Sequence, residues 1–421
     1  MPLYKKIFIG LFLGSVAGML CNIFYTDAPA VVWIVQNVAG PMGQIFLRII
    51  FMAVIPLVIA ALANGVADIG DVSKVGRIGI KTLLFTLLLS SIAVLIGIGI
   101  VNYIQPGIGL PEDARMKMVD MLQSQGAKLN TERATQIKPF TQILLELIPK
   151  NPIADMLNAF DGGLLALMVF SLFIGLAMSA VGEEKAEPLK KFFESLFTIM
   201  LKIIEFAMKL APFGVAGLMF SVTATIGFNI ITMLGKYVLV VMTALAIHQF
   251  LIYGLAIKLF TKRKPIEFYR AIREVMITAF STSSSNATLP LAMKTAEEQL
   301  KLPRKVSNFI LTIGATANQN GTALYEGITV LFLAQFFGVS LSFMQQLTVV
   351  LMSIAAGIGT AGVPGGSLPL IVVVLQSIGV PGEGIGIILG VDRLLDMSRT
   401  VLNVTGDLTI ATCVAETETN I

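Results

Sequence analysis

The chain has 421 residues, of which 55% are apolar and 13% charged, against about a quarter charged in a soluble domain. Its mean hydropathy is +0.84, which points to a membrane protein before any motif is read. The net charge of +4 is small and dispersed and gives no nucleic-acid footprint, and two distant cysteines, Cys21 and Cys413, supply neither a disulfide framework nor a zinc pattern.

A spanning helix needs roughly 20 apolar residues. Such runs lie near 5–26, 43–66, 79–103, 160–182, 193–216 and 228–258, the last long enough to tilt. The first could pass for a signal peptide. Its apolar run is longer than the usual core of one and no clear small-residue cleavage site ends it, so a retained transmembrane helix is expected. Basic residues gather in alternate connections: Lys5 and Lys6, then Lys74, Arg77 and Lys81, then Lys185, Lys190 and Lys191, then Lys258, Lys262, Arg263 and Lys264. The loops 27–42 and 217–227 contain no Lys or Arg, and the loop 106–150 is long and mixed in charge. This asymmetry predicts an N-terminus inside and six crossings that return the chain inside. The lone His248, in an apolar stretch, reads as a buried or lipid-adjacent side chain rather than a proton relay.

Beyond the sixth span the pattern changes. Residues 266–300 carry STSSSN (281–286) at their middle, and residues 341–376 carry AGIGTAGVPGGS (356–367). Half of each segment rises roughly 22 Å as a helix, short of the ~30 Å hydrocarbon core. Each is therefore expected to enter and leave on one side as a helical hairpin. Between them, 306–338 is apolar except for ATANQNGT (315–322), which predicts an unwound centre with carbonyls facing a ligand or ion. Irregular backbone at membrane depth is tolerated where it meets protein or a wet cavity, so these interruptions imply a site. Two hairpins, each followed by a span, suggest an inverted repeat with its site at the midplane.

The last span, 385–415, contains VDRLLDMSRTVLNVTGDL (391–408). Asp392, Asp396, Arg399, Asn403 and Asp407 are spaced by 4, 3, 4 and 4, one face of an α-helix, with Thr400 and Gly406 beside it. A charge at bilayer depth costs about 2.5–3.5 kcal/mol on insertion scales, so this stripe must face protein or water. Arg399 offers a planar fork for a carboxylate, and Asp396 can receive an ammonium group. Asp407, one turn past Asn403, suits a desolvated cation held with backbone carbonyls. A ligand that is both zwitterion and diacid fits this set.

At these residues the chain resembles the glutamate/aspartate transporter family, the dicarboxylate/amino acid:cation symporters that include the excitatory amino acid transporter homologues. The likeness to the prokaryotic type covers nearly the whole chain. It is most specific in the Ser-rich tip 281–286, in NQNGT (318–322), in GTAGVPGG (359–366) and in DRLLDMSRTVLNVTGD (392–407). The resemblance implies an all-α membrane protein of eight transmembrane helices plus two re-entrant hairpins, with inverted repeats and an elevator-type fold. It implies a scaffold from 1–76 and 106–222 and a transport domain from 77–105 and 223–421. It also implies a homotrimer among membrane lipids in the cytoplasmic (plasma or inner) membrane, with both termini cytoplasmic. The function implied is symport of L-aspartate or L-glutamate with Na⁺ and/or H⁺ and no other cofactor; the alternative is a C4-dicarboxylate:cation symporter.

The family pattern puts the substrate amino group on Asp396, with Thr400 adjoining, and the distal carboxylate on Arg399 with Thr322. The α-carboxylate falls to Asn403 and the backbone near Ser284 and Ser285, while Val363 and Gly365 belong to the lid. One sodium site resembles Gly314, Asn318, Asn403 and Asp407. A second corresponds to Thr316, Ile358 and Thr360, with Gln319 where relatives carry methionine. A third would need an aspartate and span-three hydroxyls; here Thr86 and Ser90 remain, with Asn320 and Leu89 as replacements, so that site is expected to be degraded. Positions where some relatives carry an arginine are Ser283 and Met397.

Other classes fit poorly. An intramembrane hydrolase would need a base beside Ser281, Ser283, Ser284 or Ser285, and neither His248 nor a lysine at membrane depth lies beside them. A channel would show rings of like charge or repeated filter motifs. GTAGVPGG has no following lysine or strand–helix context for a phosphate loop.

Overall fold

A computed structural model describes residues 3–25, 28–71, 77–124, 145, 148–159, 164–359, 362 and 365–417, and every regular element among them is helical. The first half contains α1 (Leu3–Phe24), α2 (Pro29–Ile34), α3 (Gly40–Asp71), α4 (Arg77–Ile104), α5 (Glu112–Ser124), α6 (Pro152–Leu157), α7 (Leu164–Val181) and α8 (Glu183–Ile226). Then come α9 (Asn229–Ala246), α10 (Tyr253–Phe260) and α11 (Pro265–Ala271). Among the described residues two stretches are π-helical, Val35–Ala39 between α2 and α3 and Ile247–Ile252 between α9 and α10.

Two expected loops are corrected. Within 27–42 the chain is helical from Pro29, whose ring presets φ and removes an N–H that a first helical turn leaves unpaired anyway. Most of 217–227 belongs to α8, which runs 44 residues and stops only at Gly227, where φ is +72°. Helices persist past the apolar core because nothing in the flanking sequence breaks them; scarcity of charge does not by itself make a loop. Among the described residues, five helical stretches are long and apolar enough to cross a membrane: Lys5–Phe24, Pro29–Ala67, Arg77–Ile104, Glu184–Ile226 and Asn229–Phe260. The described part of the expected span 160–182 is the shorter α7, joined to α8 by Gly182 alone.

The remaining helices are α12 (Arg273–Thr282), α13 (Ser285–Glu298), α14 (Arg304–Ala317), α15 (Asn320–Phe336), α16 (Phe343–Gly359), α17 (Leu368–Ser377) and α18 (Leu389–Thr417), with a 3₁₀ turn at Gly382–Ile387. α12 and α13 pack together across a turn in which Ser283 is left-handed (φ 51°, ψ 34°) and Ser284 caps α13, its Oγ accepting from the Ala287 N–H at 3.2 Å. α14 and α15 are one helix broken at Asn318 (φ −124°, ψ 69°) and Gln319 (φ −101°, ψ 59°). The predicted unwinding is therefore present and is confined to two residues.

The densest contacts fall into two groups, which meet where α3 touches α14, α16 and α17 and where α1 and α8 touch α18. α1, α3 and α7 pack on one another or on α8. α1 lies so close to α8 that a Cβ on Gly10, Gly14 or Gly18 would collide with Pro212 O, Ala216 O or Phe220 O, the small-residue spacing of close membrane crossings. α4, α9, α10, α12, α13, α14 and α15 all touch α18. α15 is buried on every side and α18 nearly so, which makes this pair the centre of the second group.

Candidate substrate and cation site

The stripe on α18 is buried: Asp392, Asp396, Arg399, Asn403 and Asp407 are each at most 5% exposed. Arg399 and Asp396 pair with each other, Nη2 donating to Oδ1 at 2.7 Å and Nε to the same oxygen at 3.1 Å. The fork that the sequence offers to a ligand carboxylate is thus engaged within the helix, at i and i+3. Arg399 Nη1 has no hydrogen-bond partner and lies 3.8 Å from Asp392 Oδ1. Its guanidinium carbon sits 4.5 Å from the Tyr325 ring centroid, and the Tyr325 hydroxyl donates to Asp392 Oδ1 at 2.7 Å. Thr400 Oγ1 donates back to the Asp396 carbonyl.

Asn403 and Asp407 meet the broken helix. The break exposes the first N–H groups of α15, and Asn403 Oδ1 accepts from Gly321 N–H at 2.7 Å and Thr322 N–H at 3.3 Å. Asn403 Nδ2 donates to Gln319 Oε1 at 2.5 Å and to Thr322 Oγ1 at 3.3 Å. One turn on, Asn318 Nδ2 donates to Asp407 Oδ1 at 2.7 Å, while Asn318 Oδ1 is buried without a partner. A Cβ at Gly314 would collide with Asp407 Oδ1, so the backbone of α14 comes directly against the carboxylate. Gly314, Asn318, Asn403 and Asp407 are therefore together, and the orphaned Asn318 oxygen beside the Asp407 carboxylate supplies donors of the kind that could hold a hard cation.

The other expected ion ligands divide. Gln319 Nε2 donates to Ala315 O at 2.9 Å, so both ends of its amide are bonded within the break. Thr360 lies outside the described residues, as do the side chains of Thr316 and Ile358. Thr86 and Ser90 are buried one turn apart on α4, and Ser90 reaches Asn320. Ser90 Oγ donates to Asn320 Oδ1, Asn320 Nδ2 donates to Tyr253 OH at 2.9 Å, and Tyr253 OH donates to Leu402 O at 3.3 Å. His248, fully buried as one expectation had it, stacks edge-on against Tyr253.

The two interrupted segments touch at their tips. Ser284 Oγ donates to Gly362 O at 2.7 Å, and Asn286 N–H donates to the same carbonyl at 3.3 Å. Gly362 is pinched between Ala315 O and Ser285, where a Cβ would lie 2.8 Å from the carbonyl. Ser283 and Ser285 hydroxyls are buried without partners. Val363 lies outside the described residues; Gly365, at φ +75°, lies against Met208 of α8. A cleft of about 430 Å³ lies apart from the stripe, at the C-terminal ends of α4 and α15.

Three residues escape the sequence reading. Tyr325 holds Asp392. Glu326, the one charge in α15, is 0% exposed with both carboxylate oxygens unpartnered; a lone acid in an apolar half-helix was the available signal. Arg393 donates to Asp396 Oδ2 at 3.2 Å, although it falls outside the spacing that revealed the stripe.

Residues 3–417 match the sodium:dicarboxylate symporter family. The chain is 35% identical over 416 residues, 99% of its length and 92% of the relative's, to the proton/sodium-glutamate symport protein of Bacillus subtilis. It is 33% identical over 415 residues (98% and 92%) to the proton/glutamate-aspartate symporter of Escherichia coli, and 32% identical over 403 residues (87% and 76%) to human excitatory amino acid transporter 3. With a family match from end to end and such relatives covering almost all of it, the chain belongs to the sodium:dicarboxylate symporter family.

Proposed function

We propose that this protein is a secondary active symporter that takes up acidic amino acids, L-aspartate and L-glutamate, with cations. The observation that carries this reading is the buried stripe of α18. Arg399 and Asp396 lie side by side, Arg399 keeps an unpartnered Nη1, and Asn403 sits at the exposed N–H groups of α15. A substrate exchanges the internal ion pair for two external ones: its distal carboxylate takes Arg399, with Thr322, and its ammonium takes Asp396, beside Thr400. Its α-carboxylate is received by Asn403 and the tip at Ser284 and Ser285, with Val363 and Gly365 in the lid. A plain C4 dicarboxylate has no ammonium to satisfy Asp396, and the Bacillus subtilis and Escherichia coli relatives carry glutamate in their names.

Na⁺ is held by Gly314, Asn318, Asn403 and Asp407. A second site at Thr316, Gln319, Ile358 and Thr360 is weaker. The Ser90, Asn320 and Tyr253 hydrogen bonds support the absence of a third, since Asn320 is neutral and both ends of its amide are engaged. Protons couple through Glu326, a buried carboxyl whose oxygens no protein donor satisfies.

The two contact groups support a scaffold at 1–76 and 106–222 and a moving transport domain at 77–105 and 223–421, with eight spans, the α12–α13 and α16–α17 pairs as re-entrant hairpins, and elevator motion. The assembly is a homotrimer in the cytoplasmic membrane with both termini inside. Purified protein in liposomes, given labelled aspartate or glutamate under Na⁺ and H⁺ gradients imposed separately, should accumulate both; accumulation under neither gradient would refute symport.

A further inference from the structure

Asp396 is gripped from both sides. Its Oδ1 accepts from Arg399, and its Oδ2 accepts from Arg393 Nη1 at 3.2 Å. Residues 393, 396 and 399 are three apart, so these side chains follow one another along a single edge of α18. The two guanidiniums are not equivalent. The Arg399 side chain is 3% exposed and lies over Tyr325, whereas that of Arg393 is 14% exposed and its hydrogen bond goes to Asp396.

We propose that Arg393 is a positioning residue for the substrate: it keeps Asp396 aimed while Arg399 changes partners. This rests on Asp396 receiving the ammonium and Arg399 the carboxylate. When a substrate carboxylate takes the Arg399 fork, both hydrogen bonds at Asp396 Oδ1 are given up. A buried carboxylate with no other tie would turn after the departing guanidinium or lose its orientation, since an unpaired charge at this depth is costly. The bond from Arg393 to Oδ2 takes no part in the exchange. It fixes the carboxylate plane and leaves Oδ1 open for the incoming N–H of the ammonium.

The test uses the full chain in liposomes, with L-aspartate uptake by wild type, R393M and R393K. R393M is expected to raise KM about tenfold, the loss of one charge-assisted hydrogen bond, with Vmax within about twofold, and R393K to recover most of the difference. A second reading separates aim from general damage: inhibition of labelled L-glutamate uptake by unlabelled L-aspartate and by succinate. Succinate has no ammonium, so R393M should reduce the preference for aspartate over succinate roughly tenfold, the same lost bond; a folding defect would weaken both equally. If R393M is not recovered folded, R393L, which likewise removes every N–H donor, is read by the same ratio. An unchanged ratio in a folded variant, beside an active wild type, overturns the role of Arg393 alone. An inactive wild type overturns the functional reading and this inference with it.

Discussion

The crossing of α1 with α8 and the crossing of α15 with α18 are built from opposite materials. The first brings backbone against backbone through Gly10, Gly14 and Gly18, with little for a polar ligand to exchange. The second is held by hydrogen bonds from Tyr325 to Asp392 and from the Gly321 and Thr322 N–H groups to Asn403, with Arg399 against the Tyr325 ring. Close apolar contact resists deformation because any added atom must be accommodated. Polar contact can be traded for equivalent bonds to a ligand at modest net cost, since each bond lost is replaced. Stiffness and exchangeability are thus assigned to different helix pairs of one chain.

Four substitutions would break or sharpen that contrast. R399M should abolish aspartate and glutamate uptake, a fall beyond about a hundredfold, because Asp396 also loses a partner and is left buried; surviving uptake, measured with labelled substrate, would remove Arg399 as the carboxylate clamp. E326Q should eliminate the response of uptake to an imposed pH gradient while leaving the response to sodium, read in the same vesicles; an intact pH response would place proton coupling elsewhere. G14L should lower the thermal unfolding midpoint in detergent, overpacking costing about 1–3 kcal/mol, without moving KM. A changed KM there would mean that the apolar crossing communicates with the site. The smallest effect belongs to S90A, which removes the hydrogen bond to Asn320 and should cost about 0.5–1.5 kcal/mol of stability with sodium dependence unaltered, checked by melting at varied sodium. A new sodium dependence in S90A would show that the network is not a closed one.

Much of the second crossing could be read before the fold. The stripe at 392, 396, 399, 403 and 407 was legible because five polar residues at helical spacing in an apolar run have no lipid-facing solution. The break at 318–319 was legible because ANQNG gathers amides and a glycine where a span should continue. Arg393 was not, because it stands one residue out of step and only the reach of its side chain brings it to Asp396. Nor could spacing decide whether Arg399 and Asp396 would face a ligand or each other, since i and i+3 allows both. The first crossing was hardly legible at all. Glycines four apart in α1 are ordinary in composition, and their meaning lies in the approach of a helix some 200 residues away, as the Asn22 bond to Ala224 illustrates.

The widened turn at Ile247–Ile252 carries a consequence for register. A π-helical turn holds one residue more than an α-helical one, so everything after it is rotated relative to α9. Tyr237, before the turn, reaches Thr329 in the middle of α15, and Tyr253, after it, reaches Asn320 at its start. Were these residues to tighten into a regular α-helix with their number unchanged, Tyr253 would swing by roughly 100° about the axis, away from Asn320, with Tyr237 undisturbed. The phase between two tyrosines is thus stored in one widened turn, and deleting a single residue there would let the helix run on regularly with that phase kept.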